Sequence, residues 1–379
     1  MTDEAGTKRG KPRPSIKDVA ALAGVSWRTV SNVIHGHRYL RPETKAKVEN
    51  AIAELGYKPQ MAARQLRSGR SNLITLAIPY IDHPYFASLA HAVVEAAKAY
   101  EYTVLIDETR GLPEKEEQVA RGYQSSQADG IIFSPLTLPV DSILAARDST
   151  PLVLLGEHTL DPRIDHVTAD NVESTREATA HLISLGHRRI AFLGYLTEGT
   201  LGTGDLRLEG YRRALADADI DEDPALIIGA APQATPATSS GISAGAEVGR
   251  EAGAEAGAES DYSREEGYAR AQQILLLRQS ARIDAVVCAN DLLAIGLLRA
   301  FREADVNVPG DVAVTGWDNT PEGGFSAPTL TTVAPDMNAI ARFAVEAVHQ
   351  RIMGSTDAPI GRVAPHSLMI RESTAGNAN

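Results

Sequence analysis

The sequence predicts a small all-α head followed by a large α/β body. Three observations carry that prediction. Residues 1–70 bear a net charge of +8, whereas the rest of the chain bears −20. Within the head, apolar residues recur at helical spacing on either side of a glycine turn. From residue 72 onward, short apolar runs alternate with helical patterns, as when parallel strands are covered by helices on both faces. At 379 residues the chain is too long for one ordinary domain. With 43% hydrophobic and 23% charged residues it has a globular composition.

The same arithmetic excludes several classes. No run reaches the roughly 20 apolar residues of a membrane-spanning helix. The start, MTDEAGTKRGKPRPS, lacks the apolar region of a secretory signal. Cys288 is the one cysteine, so no internal disulfide or cysteine-based metal cluster is expected. There is no HExxH, and the 10 histidines are scattered. The expectation is therefore a soluble, cytoplasmic protein that is not an enzyme, with no membrane contact, metal or cofactor.

The head is read element by element. Residues 1–14 form a basic, disordered tail. Ser15 can cap a helix, with Asp18 answering from its third position. Ile16, Val19, Ala20 and Ala23 then make one apolar face. Gly24 supplies the positive φ of a turn. Ser26 caps a second helix with Val30 and Val33 inward. Trp27, Arg28, Ser31 and Asn32 point outward and offer a ring, a guanidinium, a hydroxyl and an amide. A helix so placed reads base edges in the major groove, arginine pairing with guanine and asparagine with adenine. Pro42 opens a third helix, packed through Val48, Ile52 and Leu55 and ended by Gly56. A generic three-helix bundle is the competing reading. Ser26, Thr29, His35, Lys45 and Lys58 are the candidate phosphate contacts.

Together, IKDVAALAGVSWRTVSNVIHG, RPETKAKVENAIAELGYKP and ARQLRSGRS resemble the head of the lactose/galactose repressor (LacI/GalR) family of transcriptional regulators. The head motif runs from Ser15 to about Ser71, and later motifs extend the likeness to about Ser373. The recognition helix departs from the family at Asn32, where many relatives carry arginine. That change implies a different base preference, or none. The helix-turn-helix unit is thus placed at 15–59 and a hinge segment at 60–71. Ala62, Ala63 and Leu66 form a short apolar stripe, too short to hold a helix alone. The resemblance implies that two copies order each other over the minor groove, with Ala63 and Leu66 at the contact and Leu66 as the wedge.

In the body, LITLAI (73–78), TVLI (103–106), GIIF (130–133), LVLL (152–155), IAFLG (190–194), LIIG (226–229), AVVC (285–288) and VAVT (312–315) read as strands. Helices are expected near 84–100, 172–185, 206–218 and 291–304. The family likeness implies a periplasmic-binding-protein-like core over 72–373, with two parallel-sheet subdomains. One would combine about 72–187 with 335–353, the other about 188–332 with 362–371. The chain would cross between them near His187, Val333 and Gly354. Residues 374–379 are read as a tail. Residues 231–260 depart from the family, since 22 of the 30 are Ala, Gly, Ser, Thr or Pro. Such a composition cannot bury a core, and the segment is read as a disordered insertion.

Ligands in open α/β sheets bind beyond the strand C-termini. There DHPYF offers Asp82, Tyr85 and Phe86. The glycine-rich GTLGTGDLRLEGY is no P-loop, and its Arg207 matches the family's pocket arginine. Asn290 follows AVVCA, and Asp318 in GWDNT matches the family's pocket aspartate. Asn171 in ADN matches a motif near the cleft. Arginine and carboxylate can each hold adjacent hydroxyls of a polyol. The expected protein is a repressor that binds a pseudo-palindromic double-stranded operator as a homodimer, with a sugar-like effector in the core. The rival is an α/β sugar-binding protein or enzyme with an incidental basic extension, which would need no recognition helix.

Overall fold

The computed structural model describes residues 14–34, 40–57, 70–124, 128–156, 161–195, 202–229 and 262–375. The expectations for the tail up to residue 13, for Ala63, Leu66 and the hinge segment up to residue 69, and for the insertion 231–260 lie outside these residues. The chain divides into two units, Met1–Ser71 and Asn72–Asn379.

The first unit is three helices, α1 (Ile16–Ala23), α2 (Trp27–Ile34) and α3 (Pro42–Leu55). Ser15 and Asp18 form a capping box at α1: the Ser15 N–H donates to Asp18 Oδ2 at 2.7 Å and the Asp18 N–H to Ser15 Oγ at 3.4 Å. Gly24 takes φ 64° at the turn. Val19, Ala20, Val30, Val33, Val48, Ala51 and Tyr57 close a small core.

The second unit begins with β1 (Leu73–Ile78), α4 (Pro84–Ala97), β2 (Thr103–Glu108), α5 (Pro113–Ala120), β3 (Gly130–Phe133), α6 (Val140–Ala146), β4 (Leu152–Leu155) and β5 (Asp165–Ala169). It continues with α7 (Asn171–Ser184), β6 (Ile190–Tyr195), α8 (Thr203–Asp217), β7 (Ile227–Gly229), α9 (Arg264–Ala281), β8 (Ala285–Cys288), α10 (Asp291–Glu303) and β9 (Ala313–Trp317). The last elements are β10 (Thr331–Pro335), α11 (Met337–Ile352), β11 (Gly361–Ala364), β12 (His366–Met369) and the short α12 (Glu372–Ala375). Among the described residues these strands make two six-stranded sheets, ordered β11-β5-β4-β3-β1-β2 and β12-β10-β9-β8-β6-β7. All pairs are parallel except β10 with β12. Helices cover both faces, so the central strands are buried and largely apolar. Cys288 lies in the second core, where burial pushes its thiol above the ordinary cysteine value.

The chain crosses between the sheets at positions other than those expected. The first crossing is at Asp170, not near His187, because α7 packs on α8 and on the second sheet, with Leu182 in that core. The second is at Asp336, beside the expected Val333, after which α11 returns to the first sheet through Ile340, Ala344 and Val348. The third is at Pro365, not Gly354. Asp165 binds the Arg351 guanidinium at 2.6 and 3.0 Å and accepts from the Ile360 N–H at 2.9 Å, which keeps this stretch on the first sheet. The segment 362–371, expected wholly in the second subdomain, is thus split between the sheets: β11 pairs with β5, and β12 with β10. Thr374 is buried within α12 rather than starting a tail, and the neighbouring Ser373 hydroxyl donates to Val314 O at 2.6 Å.

Candidate ligand cleft and nucleic-acid interface

In the second unit the strand ends of both sheets converge on one cavity of about 100 Å³, its mouth open to solvent. The first subdomain contributes Tyr80 after β1, His83, Tyr85 and Phe86 at the start of α4, and Leu136 after β3. The second contributes Thr203 and Arg207 of α8, Tyr262 before α9, Asn290 before α10 and Asp318 after β9.

Arg207 is the centre of the second wall. It is 3% exposed, and its guanidinium carbon lies 3.6 Å from the Trp317 ring centroid. Its Nε donates to Asn171 Oδ1 at 2.9 Å and its Nη1 to Ala289 O. Its Nη2 is 4.0 Å from Asp318 Oδ1. Trp317 is fixed in turn by donating Nε1–H to Ser174 Oγ at 2.9 Å. Asn290 caps α10, accepting from the Leu293 N–H, and donates to Tyr262 O at 3.0 Å. The Tyr262 hydroxyl donates to Gly194 O at 3.1 Å.

Asp318 sits at φ 121° and Asn319 at φ 52°, conformations that non-glycine residues rarely adopt. Four bonds hold them. The Asn319 N–H donates to Thr332 Oγ1, and Arg371 donates to Asn319 Oδ1 at 2.6 Å. The Thr320 N–H donates to Asp291 Oδ2 at 2.7 Å, and Thr332 Oγ1 to Asp291 Oδ1 at 2.5 Å. Asp291 is fully buried. Burial pushes its carboxyl up to about 6, against the opposing pull of those hydrogen bonds and of Arg371.

The cavity departs from the sequence reading at two residues. Asp82 is exposed and is not among the lining residues, because the helix starts one residue later with His83 as N-cap and Pro84 in its first turn. Asn171 does not line this cavity either. It faces a second, far smaller cavity of about 10 Å³ with Tyr85 and Trp317, and it supports Arg207 from behind. Tyr85, Phe86, Arg207, Asn290 and Asp318 do line the cavity; Tyr80, His83, Leu136, Thr203 and Tyr262 were not foreseen. His83 has a local signal, a side chain able to cap immediately before a proline. Burial, reinforced by Arg264 and Arg207 and opposed by Asp82 and Glu322, pushes its imidazole down to about 4.

In the first unit, Trp27 is 51% exposed, with the Arg28 guanidinium 5.9 Å from its ring centroid. Asn32 is half-buried. Ser31 is a correction: it is 2% exposed and belongs to the interior rather than the outer face. At about 100° per residue it sits on the shoulder of the Val30 and Val33 stripe, where a small side chain is readily covered. Ser26 caps α2, accepting from the Thr29 N–H at 3.1 Å, and the two hydroxyls meet at 2.9 Å. Lys45 is exposed beside Glu49 at 3.7 Å. His35 and Lys58 lie outside the described residues.

Comparison with known proteins meets this geometry. Residues 15–60 match bacterial regulatory proteins of the lacI family, and residues 71–227 match the periplasmic binding proteins and sugar binding domain of that family. Residues 242–374 match a periplasmic binding protein-like domain. The HTH-type transcriptional regulator RegA of Clostridium saccharobutylicum is 30% identical over 366 residues, 95% of this chain and 99% of its own length. CelR of Thermobifida fusca, also an HTH-type transcriptional regulator, is 30% identical over 371 residues, 95% of this chain and 98% of its own. Among solved structures, a CelR–cellobiose complex superposes with TM-score 0.65 at 28% identity, covering 95% of this chain and 100% of that one. The Lac repressor dimer bound to operator and the anti-inducer ONPF superposes with TM-score 0.79 at 25% identity, covering 96% and 99%.

Proposed function

The chain belongs to the lacI family of bacterial regulatory proteins, and on that premise we propose that it is a transcriptional repressor whose operator affinity is set by a sugar bound in the core. The observation that carries the effector half is the charge balance of the cavity. Arg207 faces Asp318, and the His83 ring is neutral over the physiological range, so the lining favours neither anion nor cation. Paired donors and acceptors beside the Tyr85 and Phe86 rings suit the hydroxyls and the apolar face of a neutral sugar. A relative solved with cellobiose supports the same class. Because both subdomains line the cavity, a ligand that binds one subdomain arrangement better shifts the population toward it.

The operator half rests on α2. Trp27, Arg28 and Asn32 are assigned to base edges, and Ser26, Thr29 and Lys45 to phosphates, with His35 and Lys58 as further phosphate candidates. Ala63 and Leu66 are assigned to the minor groove. The protein acts as a homodimer, since two-fold protein symmetry matches a two-fold operator; the Lac repressor relative was solved as a dimer on its operator. It works in the cytoplasm as a regulator rather than as an enzyme.

The test is selection of DNA from a random pool with the full chain, then anisotropy of the selected duplex across neutral sugars, nucleosides and purines. A pseudo-palindromic winner whose affinity changes at least tenfold with one sugar is expected. No preferred sequence removes the repressor reading; a response confined to purines or nucleosides removes the sugar.

A further inference from the structure

We propose that His83 determines specificity in the sugar cleft by donating its Nε2–H to an oxygen of the bound sugar. The inference rests on the reading of this cavity as a sugar site. Its starting point is the tautomer. Nδ1 accepts from the Tyr85 N–H at 3.3 Å, so Nδ1 carries no proton. A neutral imidazole then has its proton on Nε2. The ring stays neutral chiefly because it is enclosed, with Arg264 and Arg207 opposing a further positive charge and Asp82 and Glu322 favouring one. Its plane is fixed a second time by Phe86, edge to face with centroids 5.6 Å apart. Among the described residues no acceptor pairs with Nε2.

The opposite wall spends its polar groups largely on itself. Arg207 is committed to Asn171, Ala289 and Asp318. Asn290 is committed to Leu293 and Tyr262. His83 therefore brings from the first subdomain a rigid, uncharged donor that the protein does not use. A hydroxyl that accepts from His83 and donates to Asp318 ties the two subdomains together through one sugar. An analogue lacking that oxygen leaves the donor unanswered, which is how a site rejects near relatives of its ligand.

Two substitutions separate capping from donation. In His83→Asn the amide oxygen can replace Nδ1 at the cap, but nothing reaches the position of Nε2. In His83→Gln the amide nitrogen can approach the Nε2 position while the cap is lost. Titration calorimetry on the full chain uses a panel of neutral mono- and disaccharides that includes glucose and cellobiose. The expected result is a loss of about tenfold in affinity for His83→Asn at an unchanged melting temperature. His83→Gln should stay within about threefold of the parent despite a lower melting temperature. Parental affinity in His83→Asn, or equal losses in both variants, would overturn the donor assignment alone. A parent that binds none of the panel removes the sugar reading and this inference with it.

Discussion

Removing either partner of the Arg207–Asp318 pair should destabilise the core, and removing both should cost less than the sum. The side chains are 4% and 5% exposed and 4.0 Å apart. At an effective dielectric of about 20, unit charges at that separation interact by about 4 kcal/mol. Asp318→Asn deletes the counter-charge but leaves Arg207 bonded to Asn171 and Ala289 and stacked on Trp317. A loss of about 2–4 kcal/mol is expected. Arg207→Met takes away those bonds as well and strands a buried carboxylate, for about 3–5 kcal/mol. The double variant removes both buried charges, so a coupling of about 2 kcal/mol should appear in the cycle. Urea unfolding of the full chain, followed by circular dichroism, measures all four corners. Both single variants should also lose the sugar response while keeping operator affinity within about twofold, read by anisotropy. Additivity within about 0.5 kcal/mol would show that the two charges do not sense one another. Lost operator binding with an intact sugar response would refute their place in the cleft.

The raised carboxyl of Asp291 predicts a pH dependence of defined sign. Its folded value, about 6, exceeds the usual carboxylate range, so between roughly pH 4 and 6 the folded state holds the proton more tightly and this group's contribution falls as pH rises. Melting temperatures from pH 4.5 to 7.5 should therefore show the parent gaining on Asp291→Asn as pH is lowered; a pH-independent difference would refute it. In the head, Arg28→Ala and Asn32→Ala should each relax one operator position at a cost of about 1–3 kcal/mol. Lys45→Ala should weaken all duplexes alike and flatten the salt slope by about one unit; an unchanged selected sequence in both base-reading variants would remove the recognition-helix assignment. Light scattering at micromolar concentration should give a dimer for the full chain and for a deletion of 231–260, with a tetramer in either, or a monomer only in the deletion, counting against it.

Most of the strands legible in the sequence are covered on both faces; TVLI, an edge strand with Leu105 and Ile106 exposed, is legible from its apolar run alone. LITLAI, GIIF, LVLL and AVVC are apolar because helices pack above and below them. The strands that escaped notice carry polar residues whose partners come from distant segments. Asp165 in β5 is answered by Arg351, and the Thr331 and Thr332 hydroxyls in β10 by Thr374 and Asp291. No local pattern announces such pairs. The crossing points were misplaced for a related reason: the periodicity of α7 shows that it has an apolar face, not which of two sheets that face covers.

For the cleft, position after a buried strand pointed to Asn290 and the GWDNT turn, and the family resemblance singled out Arg207 and Asp318. What it could not reveal is the layer beneath them. Asp291 immediately follows Asn290 in sequence and is the hub on which the Asp318 turn is hung. A side chain at Gly316 would run into the Asp291 carboxylate and Leu330, so the glycine is required for strand and helix to approach this closely. Two residues on, Asp318 adopts φ 121°, a conformation of the kind that costs roughly 1–3 kcal/mol and persists only where the surroundings over-determine it. Those surroundings are Thr320 on Asp291, Asn319 on Thr332 and Arg371 on Asn319. The segments AND and GWDNT are therefore one structural unit assembled across the sheet. Its buried half holds a strained backbone so that its cleft half can present a carboxylate beside Arg207.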